Sequence, residues 1–192
     1  QTYAAYLRSA GILEKQFRKY PDHPGVAHYL IHSYDAPPLA NQGLNAARRY
    51  ADIAPAAPHA LHMPSHIFTR IGSWQESAAT NVRSRDVAKA GGEVDEAYHA
   101  SDYMVYAYLQ LARDAAARQA IYEALQVDAV TSRFAARYAK AAMPARYAFE
   151  RGAWPEAAKL QPLGSPYPFV EAITYFTRSV GAARSGDLSS AR

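Results

Sequence analysis

The sequence predicts an all-α protein built from antiparallel helix pairs, and three observations predict it. Alanine, the best helix former, makes up about a fifth of the 192 residues. Strand signals, meaning alternating β-branched runs bounded by turns, are nearly missing. Turn-forming clusters recur every 15 to 20 residues. Helices of that length joined by short loops fold back on one another as hairpins.

The elements follow in order. A helix pair at the start is cut at residue 1. YPDHPG at 20–25 ends it and opens a first helix through AHYLIHSYD at 27–35, which DAPP at 35–38 closes. A second helix runs to IAPAAPHA at 53–60, with Pro55 at its end. LHMPSHIFT at 61–69 is the next first helix, RIGSW at 70–74 its turn, and KAGGE at 89–93 the end of its partner. The stretches 101–130 and 131–143 contain neither Gly nor Pro and read as helices. ERGAWP at 150–155, LGSPYP at 163–168 and RSGD at 184–187 punctuate the rest.

Composition narrows the function. With 49% hydrophobic and 20% charged residues, the chain has a globular composition with a sizeable core. No stretch approaches the ~20 apolar residues that a membrane span needs. Cysteine is absent, which excludes disulfides, thiolate metal sites and cysteine nucleophiles. The net charge of +4 comes from scattered basic residues, so no nucleic-acid partner is expected. Gln1 is followed by no signal-like segment, and the last residues break off where a helix starts. The chain therefore reads as one domain over 1–192, a piece of a longer protein, with cytoplasm and periplasm both open.

Self-comparison finds a repeat. IGSWQESAA aligns with ERGAWPEAA, placing Gly72 on Gly152 and Trp74 on Trp154. RSGDLSSAR adds Gly186, and LARDAAARQA fits the frame through Ala112 and Ala117 without the glycine. The turn needs a residue that tolerates positive φ, and small residues such as Ala78, Ala117 and Ala157 let paired helices approach. Among the first helices, Tyr34, Phe68 and Tyr108 share a column. Repeats start near 24, 58, 98 and 138, with a partial one near 171.

The Gly-x-aromatic turn leading into an Ala-lined second helix resembles the tetratricopeptide repeat (TPR), over essentially the whole chain. YPDHPGVAHYLIHSYD and APHALHMPSHIFTRIGSWQESAATN are similar to a His-rich group of large bacterial TPR proteins without an assigned activity. The resemblance implies a right-handed superhelical α-solenoid whose first helices line a concave groove. It implies little about chemistry.

Six of the seven histidines fall into three columns of the repeat: His28, His62 and Asp102; His32, His66, Tyr106 and Arg146; His59 and His99. His28/His32 and His62/His66 are i,i+4 pairs on single helix faces. The expected groove surface is therefore His28, His32, His59, His62, His66, His99, Asp102, Tyr106 and Arg146. Three readings of it are open. The first is a metal site at His28, His32, His62 and His66, for zinc or another transition metal, because imidazoles at helical spacing suit such ions. The second is a polar network that contacts a ligand, and the third is simple packing. Two functions follow: a non-catalytic scaffold that binds a protein or peptide in a His- and Tyr-lined groove, or a metal-binding protein or metal-dependent enzyme.

No catalytic residue is assigned, since neither HExxH nor G-x-S-x-G occurs. Ser65 lies one position from His66 and points elsewhere on a helix. Asp35 reads as a solvated charge, Trp74 and Trp154 as core. Pro64 and Pro144 share a column and predict a recurring kink. Arg70, Arg113, Arg146 and Arg151 add positive charge suited to an acidic peptide.

Overall fold

The computed structural model describes residues 2–127 and 134–191. Residues 128–133, which the sequence places in helical stretches, lie outside them. Every regular element among the described residues is helical. The chain forms two compact units, 1–92 and 93–192.

The first unit contains α1 (Ala4–Lys19), α2 (Pro24–Tyr34), a 3-10 turn (Ala40–Gly43), α3 (Leu44–Ile53), α4 (Pro58–His62), α5 (Pro64–Arg70) and α6 (Trp74–Ala90). Proline at the first position starts α2, α4 and α5, where its missing N–H costs nothing. Before α2, His23 caps the helix by accepting the Val26 N–H on Nδ1 at 3.3 Å. Helix α2 packs against α1, α3 and α5, and α6 covers both α4 and α5. Leu30, Ile31, Tyr34, Met63, Ile67 and Phe17 fill the core. Gly43 permits the closest approach: a Cβ there would lie 2.8 Å from Ile67 Cδ1 and 3.0 Å from Tyr34 Cβ. Those two residues belong to the helices that carry His66 and His32.

The second unit contains α7 (Val94–Gln110), α8 (Asp114–Leu125), α9 (Phe134–Arg151), α10 (Trp154–Ala157) and α11 (Pro168–Arg184). Helix α9 packs beside α7 and α11, α8 fills the space against α7 and α9, and α10 does the same against α9 and α11. Helix α10 is only four residues long. Pro162 explains part of this, because its ring would clash with the Ala158 carbonyl if the helix continued.

The turn alignment has a backbone counterpart. Gly72, Ala112, Gly152 and Gly186 all have positive φ, at 75°, 55°, 60° and 84°. Each is followed by an N–H that reaches back five residues: Ser73 to Phe68 O (2.8 Å), Arg113 to Tyr108 O (2.8 Å), Ala153 to Ala148 O (2.9 Å) and Asp187 to Ala182 O (3.0 Å). This is the Schellman closure of a helix, made four times. Ala78, Ala117 and Ala157 are all buried.

Ala112 is the strained member. A left-handed alanine costs roughly 1–2 kcal/mol, while glycine's extra freedom in the unfolded chain costs about 0.4–1 kcal/mol. Ala112→Gly is therefore expected to stabilise the chain by about 0.5–1 kcal/mol, read as a higher urea midpoint. A lower midpoint would mean that the turn carries no strain at this residue.

Pro64 divides α4 from α5, and Pro144 sits inside an uninterrupted α9. One expectation is corrected. At the helix starts after the turns, Trp74 and Trp154 are half-buried rather than core.

A candidate histidine centre

Five of the predicted histidines lie in the first unit and come together. Helix α2 carries His28 and His32, α4 carries His59 and His62, and α5 carries His66. Their contacts run through Nε2 atoms: His28 to His32 at 3.1 Å, His28 to His59 at 3.3 Å, and His62 to His66 at 3.1 Å. The i,i+4 spacing survives the α4–α5 break because Met63 keeps helical dihedrals.

The other ring nitrogens are anchored outward. His62 is fully buried and its Nδ1 lies 2.7 Å from Asn81 Oδ1. The Asn81 amide nitrogen donates to Ser77 O at 2.7 Å, which fixes the oxygen toward His62. Nδ1 of His66 lies 2.8 Å from an Asp35 carboxylate oxygen. Arg70 Nε donates to the other oxygen at 2.8 Å. Both acceptors demand a proton on Nδ1, so each neutral imidazole turns the lone pair of Nε2 inward. The two Nε2 atoms lie 3.1 Å apart. With both rings neutral their lone pairs face one another, an arrangement that a shared proton or a shared metal ion relieves.

His28 is held differently. It stacks on Tyr29 with ring centroids 5.1 Å apart and lies nearly parallel to Tyr50 at 5.8 Å. Burial, and then the charges of His32, His59 and His66, pull its pKa from 6.5 down to about 4. The His32 pKa is lowered by burial and by His66, with Asp35 opposing. For Asp35, burial raises the pKa, but hydrogen bonds from His66 and Arg70 outweigh it and the carboxyl sits below its ordinary value.

The pH dependence follows in sign. A histidine with a lowered folded pKa contributes full stability above 6.5, and that is lost as pH falls from 6.5 toward 4, because the unfolded chain takes up the proton first. The Asp35 contribution is present above about 3.8 and is lost only below it. The urea midpoint is expected to fall already between pH 6.5 and 4.5, and less steeply in His28→Asn. A midpoint flat down to pH 4.5 would contradict the burial of the imidazoles.

Asp35 and Asn81 are the residues that sequence reasoning missed. Asp35 is 18% exposed at its side chain and holds both His66 and Arg70, so it is not a solvated charge. Asn81 lies in a buried polar stripe on α6 with Ser77, Thr80 and Ser84. The i,i+3,i+4,i+7 spacing of that stripe was the available signal. Thr80 and Ser84 donate to Leu61 O and Pro58 O at 2.6 and 2.8 Å, which fastens α6 to the histidine-bearing α4. Ser65 Oγ is buried without a hydrogen bond, so no Ser–His pair forms.

In the second unit, Asp102, Tyr106 and Arg146 form their own cluster. Arg146 donates to the buried Asp102 carboxylate and lies over the Tyr106 ring, 5.3 Å from its centroid. Burial pushes the Asp102 carboxyl above its ordinary pKa, against the pull of Arg146. His99 meets Tyr103 edge-on at 5.5 Å. Three of the four arginines expected to add positive charge are ion-paired: Arg146 with Asp102, Arg70 with Asp35, and Arg151 with Asp114 at 3.1 Å.

Set against models of known protein families and against the curated proteins, the chain matches none of them. No described helix is long and apolar enough to cross a membrane.

Proposed function

We propose that the chain is a non-catalytic, metal-binding helical-repeat module, with a transition-metal ion held by His62 and His66. One observation carries this reading: the Nε2 atoms of His62 and His66 lie 3.1 Å apart, while Asn81 and Asp35 hold the two Nδ1 atoms. Ligands of a tetrahedral ion at about 2.0–2.1 Å stand roughly 3.3 Å from one another. Metal-bound histidines characteristically donate their other N–H to a carboxylate or amide, as these two do. An all-imidazole donor set suits Zn²⁺ or Cu²⁺ and not Mg²⁺ or Ca²⁺.

The test is calorimetric titration of the untagged chain with Zn²⁺, beside His66→Asn and Asp35→Asn. The first variant should abolish the tight site. The second keeps both ligands and should lose about 10–100-fold in affinity through the weakened anchor. Equal weak binding by all three proteins would overturn the proposal.

A second reading, a TPR-like solenoid that binds a peptide, is favoured by the four matching turns at Gly72, Ala112, Gly152 and Gly186. The paired arginines weigh against an acidic peptide. A neutral, Tyr-contacting segment suits the roughly 620 Å³ hollow lined by Tyr6, Ile12, Tyr29 and His32. Peptide-array binding that is lost in Tyr29→Ala would support it, and unchanged binding would overturn it.

A further inference from the structure

The first unit repeats its own packing. An offset of 34 residues carries His28 onto His62 and His32 onto His66, and it carries whole helices with them. Shifted by it, α1 falls on 38–53, the span of the 3-10 turn and α3, and α2 falls on 58–68, the span of α4 and most of α5. The hollow beside α1 and α2 obeys the same offset. Its Ala5, Ser9 and Leu13 fall on Leu39, Gly43 and Ala47, and its Tyr29, His32 and Ser33 fall on Met63, His66 and Ile67. One contact is repeated with them: Ser9 Oγ meets Ser33 Oγ at 2.8 Å, as Gly43 lies against Ile67. In the second place α2 covers these residues, and Leu39, Ala47, Met63 and Ile67 share one core with its Leu30, Ile31 and Tyr34. In the first place the matching residues border a hollow of roughly 620 Å³.

We infer that this hollow is the seat for one helix of a partner protein, laid against α1 and α2 as α2 is laid against α3 and α5. This rests on the peptide-binding reading above and names the form of the peptide. The partner helix carries apolar side chains at the i, i+1, i+4 spacing of Leu30, Ile31 and Tyr34, and a carboxylate just past its C-terminal end. The carboxylate follows from His32. Asp35, just past the end of α2, accepts from His66 Nδ1 at 2.8 Å, and His32 is the counterpart of His66 in the hollow. Nε2 of His32 meets His28 at 3.1 Å, and its Nδ1 makes no hydrogen bond among the described residues. The lining sets the kind of occupant. Ser9, Tyr29 and Ser33 stand where the filled seat has Gly43, Met63 and Ile67, so the hollow is the more polar of the two. Contacts that form and part are more polar than permanent ones, which fits a partner that comes and goes. The α2 helix of a second copy is already seated in its own core, so the helix comes from another protein.

The probe is a labelled synthetic peptide of residues 21–37 of this chain, which carries α2 and Asp35, titrated into the intact chain by fluorescence anisotropy. Saturable binding is expected, with helical transferred NOEs in the bound peptide. Ala5→Arg sets a long side chain into the hollow from an exposed position of α1 and should weaken binding at least about tenfold. His32→Phe in the protein and Asp35→Asn in the peptide should each cost about tenfold, and together no more than either alone, because they break one contact. Circular dichroism checks that both protein variants remain helical. Equal binding by Ala5→Arg, or independent losses from His32→Phe and Asp35→Asn, would overturn the helix seat. So would a dimer of the chain alone that Ala5→Arg dissolves, since a second copy would then fill the hollow. Array peptides that bind through Tyr29 without turning helical would overturn the seat and leave the peptide reading standing. No peptide bound at the hollow would overturn both.

Discussion

Arg146→Met is expected to destabilise the chain by about 3–5 kcal/mol, the cost of leaving a buried charge without its partner. Asp102 is 5% exposed, and its carboxylate accepts from Arg146. Burial raises the pKa of this carboxyl, and Arg146 is the group that opposes the rise. Without the guanidinium the folded pKa climbs further. The sign follows: an acid with a raised folded pKa is stabilising below its unfolded value, near 3.8, and loses that contribution as pH rises through the folded value. The defect of Arg146→Met should therefore be largest at neutral pH and shrink in acid. Asp102→Leu/Arg146→Met removes both charges and should fall within about 1–2 kcal/mol of the parent, since an apolar pair of similar volume replaces a buried ion pair at little cost. Urea unfolding at pH 7 and pH 4 reads all three. If the double variant is as damaged as Arg146→Met, packing and not charge holds this crossing.

The second large effect is expected from His62→Ala, at about 2–4 kcal/mol. Two losses combine. A fully buried ring is deleted from between α4 and α6, and Asn81 Oδ1 loses the N–H that met it at 2.7 Å. Asn81→Ala alone should cost about 1–3 kcal/mol, because it strands the buried His62 N–H. A double-mutant cycle should give a coupling of about 1 kcal/mol between the two positions. Zn²⁺ adds a separate readout. At about 100 times its dissociation constant, the ion should stabilise the parent by about 2.7 kcal/mol and leave His62→Ala unmoved. A coupling near zero would mean that Asn81 does not orient the imidazole.

Much of this was legible in the sequence. Alanine-rich runs between Gly and Pro clusters are a local property, so the helices and their turns could be read directly. The alignment of Ala112 with Gly72 and Gly152 anticipated a left-handed turn at an alanine, because a repeated closure needs the same φ whatever residue supplies it. The i,i+4 histidine pairs were legible for the same reason: helical spacing fixes which side chains share a face. Where the partners are distant in the chain, the sequence misled. Asp35 looked like a solvated charge because nothing within its own helix pairs with it. Its partners, His66 and Arg70, lie 31 and 35 residues further on.

What the sequence determined by itself is thus the set of helices, the recurring turn and the faces on which the histidines lie. What only the tertiary structure decided is the state of those histidines. The tautomers of His62 and His66 depend on Asn81 and Asp35, which reach them from α6 and from the end of α2. Periodicity carries no information about such contacts, because a hydrogen bond between helices depends on the packing distance and on which oxygen faces which nitrogen. The gathering of the five imidazoles exists for the same reason: α2 packs on α5, and Gly43 leaves the room for it.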